Sequence, residues 1–215
     1  MNKKIVIVDY GIGNIHSVEQ ALLNIGVKNV IVSSKLESIQ NCDSLILPGV
    51  GSFSAGMKGL KKRNLIEPII DFANSGKPLL GICLGAQMLL SESEEFGLHK
   101  GLDLIPGKVI QIPRSNNSNY RVPLIGWEEI EIHSKDKILK NMDSFEKFYF
   151  VHSYHCMPED SANKLLSFNV GGIEISALVS HKNIYGAQFH PEKSSTSGLK
   201  FLTNFASLEK YNHRK

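Results

Sequence analysis

The chain has 215 residues, 42% of them hydrophobic and 21% charged, with a net charge of +3. That length suits one large α/β domain, 1–215, with a full core, and the composition is ordinary for a globular protein. Lys and Arg are scattered, the run Lys58, Lys61, Lys62, Arg63 reads as a solvated helix face, and no apolar stretch approaches the ~20 residues of a bilayer span, which argues against nucleic-acid and membrane roles.

Cys42, Cys83 and Cys156 are too few and too irregular for a disulfide framework, and with no CxxC pair they fit a reducing cytoplasm. The start, MNKKIVIVDYG, enters a strand at once and does not read as a signal peptide. Lys4 to Asp9 is a β-branched run suited to a strand covered on both faces. Tyr10–Asn14 turns into an amphipathic helix over Ile15–Ile25. Gly11-x-Gly13 invites a dinucleotide fingerprint, but the third glycine falls at His16 and the pattern fails. A strand at Val30–Val32, a short helix at Lys35–Asn41 and a strand at Asp43–Leu47 follow. The last ends in Pro48-Gly49-Val50-Gly51-Ser52-Phe53, a glycine-rich loop where parallel sheets place ligand-binding backbone, although a plain turn would look the same.

Helical patterns at Ser54–Lys62 and Leu65–Ser75 lead to Pro78–Ile82, a short apolar run after a Gly-Lys-Pro breaker. Gly81-Ile82-Cys83-Leu84-Gly85 and a helix over Leu84–Ser91 complete a nucleophile elbow with cysteine as nucleophile. A helix N-terminus favours a thiolate, but a small buried core cysteine fits the pentapeptide equally well. The alternation of strand and helix argues for a doubly wound parallel sheet. Afterwards the texture changes to short alternating runs, at Lys108–Ile112, Trp127–His133, Lys147–His152, Lys164–Asn169, Ile173–Val179 and Asn183–Phe189. Hairpins and a partly antiparallel second half are expected, with a mobile loop at Ser115–Asn119 and a closing helix over Ser195–Leu208.

A second chemical cluster is Gln188-Phe189-His190-Pro191-Glu192-Lys193, where Pro191 fixes the relation between imidazole and carboxylate. A cysteine hydrolase needs such a base and a group to orient it, provided the fold brings His190 to Cys83. A metal site at His152, His155 and His190 is conceivable, but no spacing demands one.

GICLGAQ, LPGVGSF and QFHPEKS together resemble class I (triad-type) glutamine amidotransferases. DYGIGNIHSV, LPGVGSFSAGM, GICLGAQMLLSESEE, KGLDLIPGKV, Gly126-Trp127, FVHSYH and FHPEKSS fall in the order of one branch, the glutaminase subunits of imidazole glycerol phosphate synthase, along essentially the whole chain. The resemblance implies a three-layer, flavodoxin-like, mostly parallel sheet with antiparallel additions in the second half. It implies a Cys83–His190–Glu192 triad that hydrolyses L-glutamine to glutamate and ammonia without metal or cofactor. By the same resemblance Gly49, Val50 and Gly51, with Leu84, form the oxyanion-stabilising backbone. Gln87 and Glu95 hold the amino-acid end of glutamine, and Ser153, Tyr154 and His155 line the pocket. Asn14, Tyr154 and Lys193 fall on a face that docks a (β/α)8-barrel synthase subunit as a heterodimer. The family text has His after Pro123 and Asn after Trp127, whereas this chain has Leu124 and Glu128. That departure leaves open a related subfamily that supplies ammonia to sugar-amidating enzymes of surface polysaccharide synthesis. A stand-alone cysteine hydrolase and a non-catalytic docking subunit are the remaining alternatives.

Overall fold

The computed structural model describes residues 2–113 and 120–211. In the first half the chain runs β1 (Lys4–Val8), α1 (Ile15–Asn24), β2 (Asn29–Ser33), α2 (Leu36–Gln40), β3 (Ser44–Leu47), α3 (Phe53–Lys62), α4 (Ile66–Asn74), β4 (Leu79–Ile82) and α5 (Leu84–Met88). Five short strands follow, β5 (Leu90–Ser93), β6 (His99–Lys100), β7 (Ile105–Gln111), β8 (Leu124–Glu129) and β9 (Glu131–Ile132). The remainder is β10 (Lys147–His152), β11 (Tyr154–Pro158), β12 (Lys164–Val170), β13 (Ile173–His181), β14 (Ile184–Ala187) and α6 (Ser195–Ser207).

One sheet organises the molecule, in the order β2-β1-β3-β4-β14-β13-β12-β9. From β2 through β14 every neighbour is parallel; β13, β12 and β9 join antiparallel. Side chains alternate across a strand, so β1 feeds two cores. Ile5 and Ile7 pack with Val18 and Leu22 of α1 and Phe201 and Phe205 of α6, while Val6 and Val8 pack with Ile39, Phe53, Leu60 and Ile69 from α2, α3 and α4. The result is the expected three-layer, flavodoxin-like arrangement.

Two smaller sheets flank it. β8 and β10 pair antiparallel, with Tyr149 opposite Trp127 and Val151 opposite Ile125. The inward residues of β10, Phe148 and Phe150, close on Phe189 at ring-centroid distances of 4.0 and 5.9 Å, which anchors this ribbon to the core. β11, β7, β5 and β6 form the other sheet.

Most expected elements occur within a residue or two of their expected bounds, but β7 begins three residues before the expected Lys108. The run expected over Trp127–His133 is split into β8 and β9, and two larger departures occur. The helix expected over Leu84–Ser91 stops at Met88, because Leu90 and Ser93 pair with Ile105 and Val109 of β7. Sheet pairing there overrides the helix propensity of the local residues. β11 was not anticipated; its register against β7 places Tyr154 opposite Gln111. The loop expected at Ser115–Asn119 lies outside the described residues. No helix of the described residues is long and apolar enough to cross a membrane.

Candidate active site

Cys83 stands where β4 gives way to α5, with φ 53° and ψ −108°. A non-glycine residue in the left-handed region costs on the order of 1–3 kcal/mol and persists only where its surroundings enforce it. Here they do. A Cβ on Gly85 would lie 1.8 Å from the Leu47 carbonyl oxygen, and one on Gly81 would lie 2.6 Å from the Gly85 carbonyl. The two flanking glycines let the elbow press against its own strand and the end of β3.

The base arrives through the sheet. β14 lies parallel beside β4 with Ala187 opposite Ile82, and the Cys83 N–H donates to the Ala187 carbonyl at 2.7 Å. Beyond the strand end, the His190 N–H donates to the Tyr149 carbonyl at 2.9 Å, and Ser194 Oγ donates to the His190 carbonyl at 2.6 Å. Pro191 starts a short 3-10 turn, Pro191–Lys193, which brings Glu192 back under the imidazole. Glu192 Oε1 lies 2.8 Å from His190 Nδ1, with both side chains at most 3% exposed. A carboxylate can only accept, so Nδ1 carries the proton. Nε2 is buried and has no hydrogen-bond partner among the described residues. Burial pulls the His190 pKa down, but the Cys83 sulfur and the Glu192 carboxylate outweigh it and raise it to about 9.

Cys83 and His190 line one cavity of about 290 Å³ with Val50, Gly51, Leu84, Gln87, Glu95, Ser153 and Tyr154. Val50 and Gly51 make no backbone hydrogen bond to the described residues, and Gly51 has φ +95°. Gly49 lies beneath this lining; a Cβ there would meet the Gly85 nitrogen and the Tyr10 hydroxyl at 2.7 Å. Glu95 Oε2 accepts the Phe53 N–H at 2.5 Å at the start of α3, so its carboxylate sits at a helix N-terminus as well as in the cavity wall. Gln87 Nε2 donates to the Tyr154 carbonyl at 2.9 Å and to Gln188 Oε1 at 3.1 Å. His155 is buried outside the cavity lining, and burial lowers its pKa to about 4. Of the residues expected at a docking face, Tyr154 lines the cavity, Lys193 Nζ rides over the Tyr149 ring at 5.8 Å, and Asn14 turns inward to Glu192.

Several site residues went unassigned in the sequence. Gln188 is 1% exposed and its Nε2 lies 3.9 Å from Cys83 Sγ. Its place two residues before His190, just past the end of β14, was the available signal. Pro123, Val151 and His152 complete the lining. They come from the β8–β10 ribbon and the segment leading into it, whose nearness to the elbow is a tertiary fact. No cluster of metal-binding side chains occurs among the described residues.

The arrangement is that of a cysteine amidohydrolase: a strained thiol, a buried imidazole–carboxylate pair and exposed backbone at a glycine loop. The chain belongs to the glutamine amidotransferase class-I family, whose model matches residues 6–207. It is 46% identical over 209 residues to imidazole glycerol phosphate synthase subunit HisH 1 of Legionella pneumophila strain Paris, covering 94% of this chain and 98% of that protein. The HisH subunit of Syntrophotalea carbinolica is 41% identical over 207 residues, 95% of this chain and the whole of that one. Among solved structures, PurLQS from Thermotoga maritima superposes with a TM-score of 0.71 at 20% identity, covering 96% and 98% of the two chains. A structure described as a glutamine amidotransferase gives 0.70 at 20% identity, covering 94% and 98%. These likenesses bear on fold.

Proposed function

We propose that this chain, as one domain over residues 1–215, is the glutaminase subunit of a cytoplasmic imidazole glycerol phosphate synthase. It hydrolyses L-glutamine and passes ammonia to a (β/α)8-barrel cyclase subunit, which forms imidazole glycerol phosphate and AICAR in histidine biosynthesis. The observation that carries the chemistry is the convergence of Cys83 and His190 on one cavity, with Glu192 2.8 Å behind the imidazole.

In this reading the Cys83 thiolate attacks the side-chain amide carbon of glutamine. Negative charge develops on the carbonyl oxygen, where N–H groups of Val50, Gly51 and Leu84 receive it. The tetrahedral adduct collapses as His190 Nε2 delivers its proton to the departing nitrogen, leaving a γ-glutamyl thioester on Cys83 and free ammonia. Neutral His190 then takes a proton from water, hydroxide adds to the thioester, and glutamate leaves as the thiolate is restored. Glu192 keeps Nδ1–H in place throughout. Glu95 and Gln87 hold the charged amino-acid end, with Ser153 and Tyr154 closing the wall.

Exposure supports a docking face on the β8–β10 ribbon. Ile125 (64% exposed), Trp127 (49%) and Val151 form, with Tyr149, one open side of the β8–β10 ribbon, and Val151 also lines the cavity. An apolar sheet face that reaches the rim of an ammonia-producing site suits a partner that must receive ammonia before it escapes. The test is to purify the chain with its barrel subunit and replace Cys83 by Ala. Synthesis from glutamine should vanish while synthesis from ammonium salts persists. Retained glutamine turnover would refute the triad, and turnover by the isolated chain that no barrel subunit alters would identify a stand-alone hydrolase. Failure to complement a cyclase of histidine biosynthesis, with complementation of a sugar-amidating enzyme, would reassign the acceptor.

A further inference from the structure

Asn14 occupies the N-cap of α1, and its backbone carbonyl accepts the Val18 N–H at 3.2 Å. Asn at that position ordinarily turns its side chain back to cap a free helix N–H. Here the side chain makes no cap bond. Its Nδ2 instead reaches 178 residues along the chain to Glu192 Oε1, at 3.3 Å. Because a carboxylate only accepts, the amide must present its NH2, which fixes its orientation. Glu192 Oε1 therefore takes two donors, His190 Nδ1 and Asn14 Nδ2, while Oε2 is buried without a partner among the described residues. One carboxylate oxygen thus carries all of the contacts that hold the group against the imidazole. Rotation about the terminal bond of Glu192 would break both at once, and Asn14 is the donor opposing it that is not itself part of the proton relay.

The turn that carries Asn14 is closely packed. Gly11 and Gly13 have φ +89° and +140°, and a Cβ on Gly13 would come within 3.2 Å of the Pro48 ring. Tyr10 Oη donates to the Pro48 carbonyl at 2.7 Å, tying the same turn to the glycine loop at the cavity.

We propose that Asn14 is a positioning residue of the site: its carboxamide, released from helix capping, holds the Glu192 carboxylate in the orientation that supports protonated His190 beside Cys83. This rests on the glutaminase reading and adds to it a group from the first turn of the chain. Asn14 touches neither substrate nor the reacting atoms, so its effect passes through the imidazole.

The test uses the full chain without its partner, which removes any docking effect. The His190 ring is titrated by NMR, and alkylation of Cys83 by iodoacetamide is followed by mass spectrometry across pH. In Asn14→Ala the His190 midpoint should fall by about one pH unit and Cys83 alkylation at pH 7 should slow several-fold. Asn14→Ser introduces a side chain able to cap the helix but withdraws the long donor, and should match the Ala variant while its melting temperature is at least the wild-type value. Rescue of both readouts by Ser would show that capping of α1 is what matters, and would overturn the inference. So would a wild-type His190 midpoint in both variants. A wild-type chain whose His190 titrates near 6.5 and whose Cys83 resists alkylation would sink the glutaminase reading itself.

Discussion

The N–H of Cys83 donates to the Ala187 carbonyl at 2.7 Å, so the thiol and imidazole of the proposed site hang from adjacent strands joined by one short backbone bond. The reach from Cys83 to His190 is set by two sheet elements, β4 and β14, and by the turn after β14. The intervening chain supplies walls and a docking ribbon. Removing any one of the supports described below should therefore affect chemistry and stability in separable ways.

Gly85 and Gly51 separate packing from conformation. At Gly85→Ala the new methyl would overlap the Leu47 carbonyl, which belongs to the sheet and cannot yield. The variant should lose about 3 kcal/mol or more and express poorly, as measured by urea unfolding. Nothing lies within 4 Å of a Cβ on Gly51, but its φ of +95° suits glycine. Gly51→Ala should cost only about 1 kcal/mol of stability while glutamine turnover falls steeply, because the loop lining the cavity must shift at the proposed oxyanion position. Equal stability losses in the two variants would contradict this account.

Gln188 should act on the thiol. Its amide bridges Gln87 and the Cys83 sulfur from a fully buried position. Gln188→Leu removes both contacts but leaves Gln87 Nε2 its bond to the Tyr154 carbonyl, so only about 1 kcal/mol of stability should go. Steady-state glutaminase kinetics with the partner bound should show kcat/KM reduced by about 10- to 100-fold. A variant with unchanged kinetics would reduce Gln188 to a packing role.

Three histidines set opposed pH dependences of stability. Burial depresses His152 to about 3 and His155 to about 4. Below pH 6.5 the unfolded chain takes up protons that these buried rings refuse, so stability drains away as pH falls from 6.5 toward 4, at about 1.4 kcal/mol per unit for each ring. His190 is raised to about 9, so the folded protein keeps a proton that the unfolded chain releases. That contribution is complete below pH 6.5 and fades as pH climbs to 9. Urea unfolding across pH should give a maximum near neutrality, and His155→Gln should flatten the acid limb by one proton. An acid limb unchanged in that variant would contradict the assignment.

Trp127 should matter to the partner and hardly to the isolated chain. It meets Tyr149 edge-on at 6.0 Å and is half exposed. Trp127→Ala should weaken binding of the barrel subunit by about 30-fold or more, the order expected of a large aromatic anchor, while the melting temperature moves little. Titration calorimetry with the purified subunit measures this.

Much of the architecture was legible because β1, β3 and β4 are buried on both faces and read as unbroken apolar runs. The strand–turn–helix of the elbow was legible in Gly81–Gly85, but the pentapeptide alone fitted a core cysteine equally well, and only His190 and Glu192 downstream tipped the reading. The end of α5 was not, since Leu89 to Ser93 suits a helix until β7 arrives from more than ten residues downstream to pair with it. Nor was the inward turn of Asn14. Its sequence neighbourhood shows a helix start, and only the fold supplies a buried carboxylate that draws its amide away from capping. Gln188 was visible as part of a cluster, but its direction followed from the register of β14 against β13.

The central place of β14 has a consequence for synthesis on the ribosome. Chains emerge N-terminus first, and an early-folded β1–β4 unit would present its thiol with no imidazole beside it. Only when Ile184–Ala187 slots between β4 and β13 does the sulfur acquire a proton acceptor. On the proposed reading, a nascent or truncated chain has a thiol but no base beside it, and ammonia release should begin only once β14 has joined the sheet.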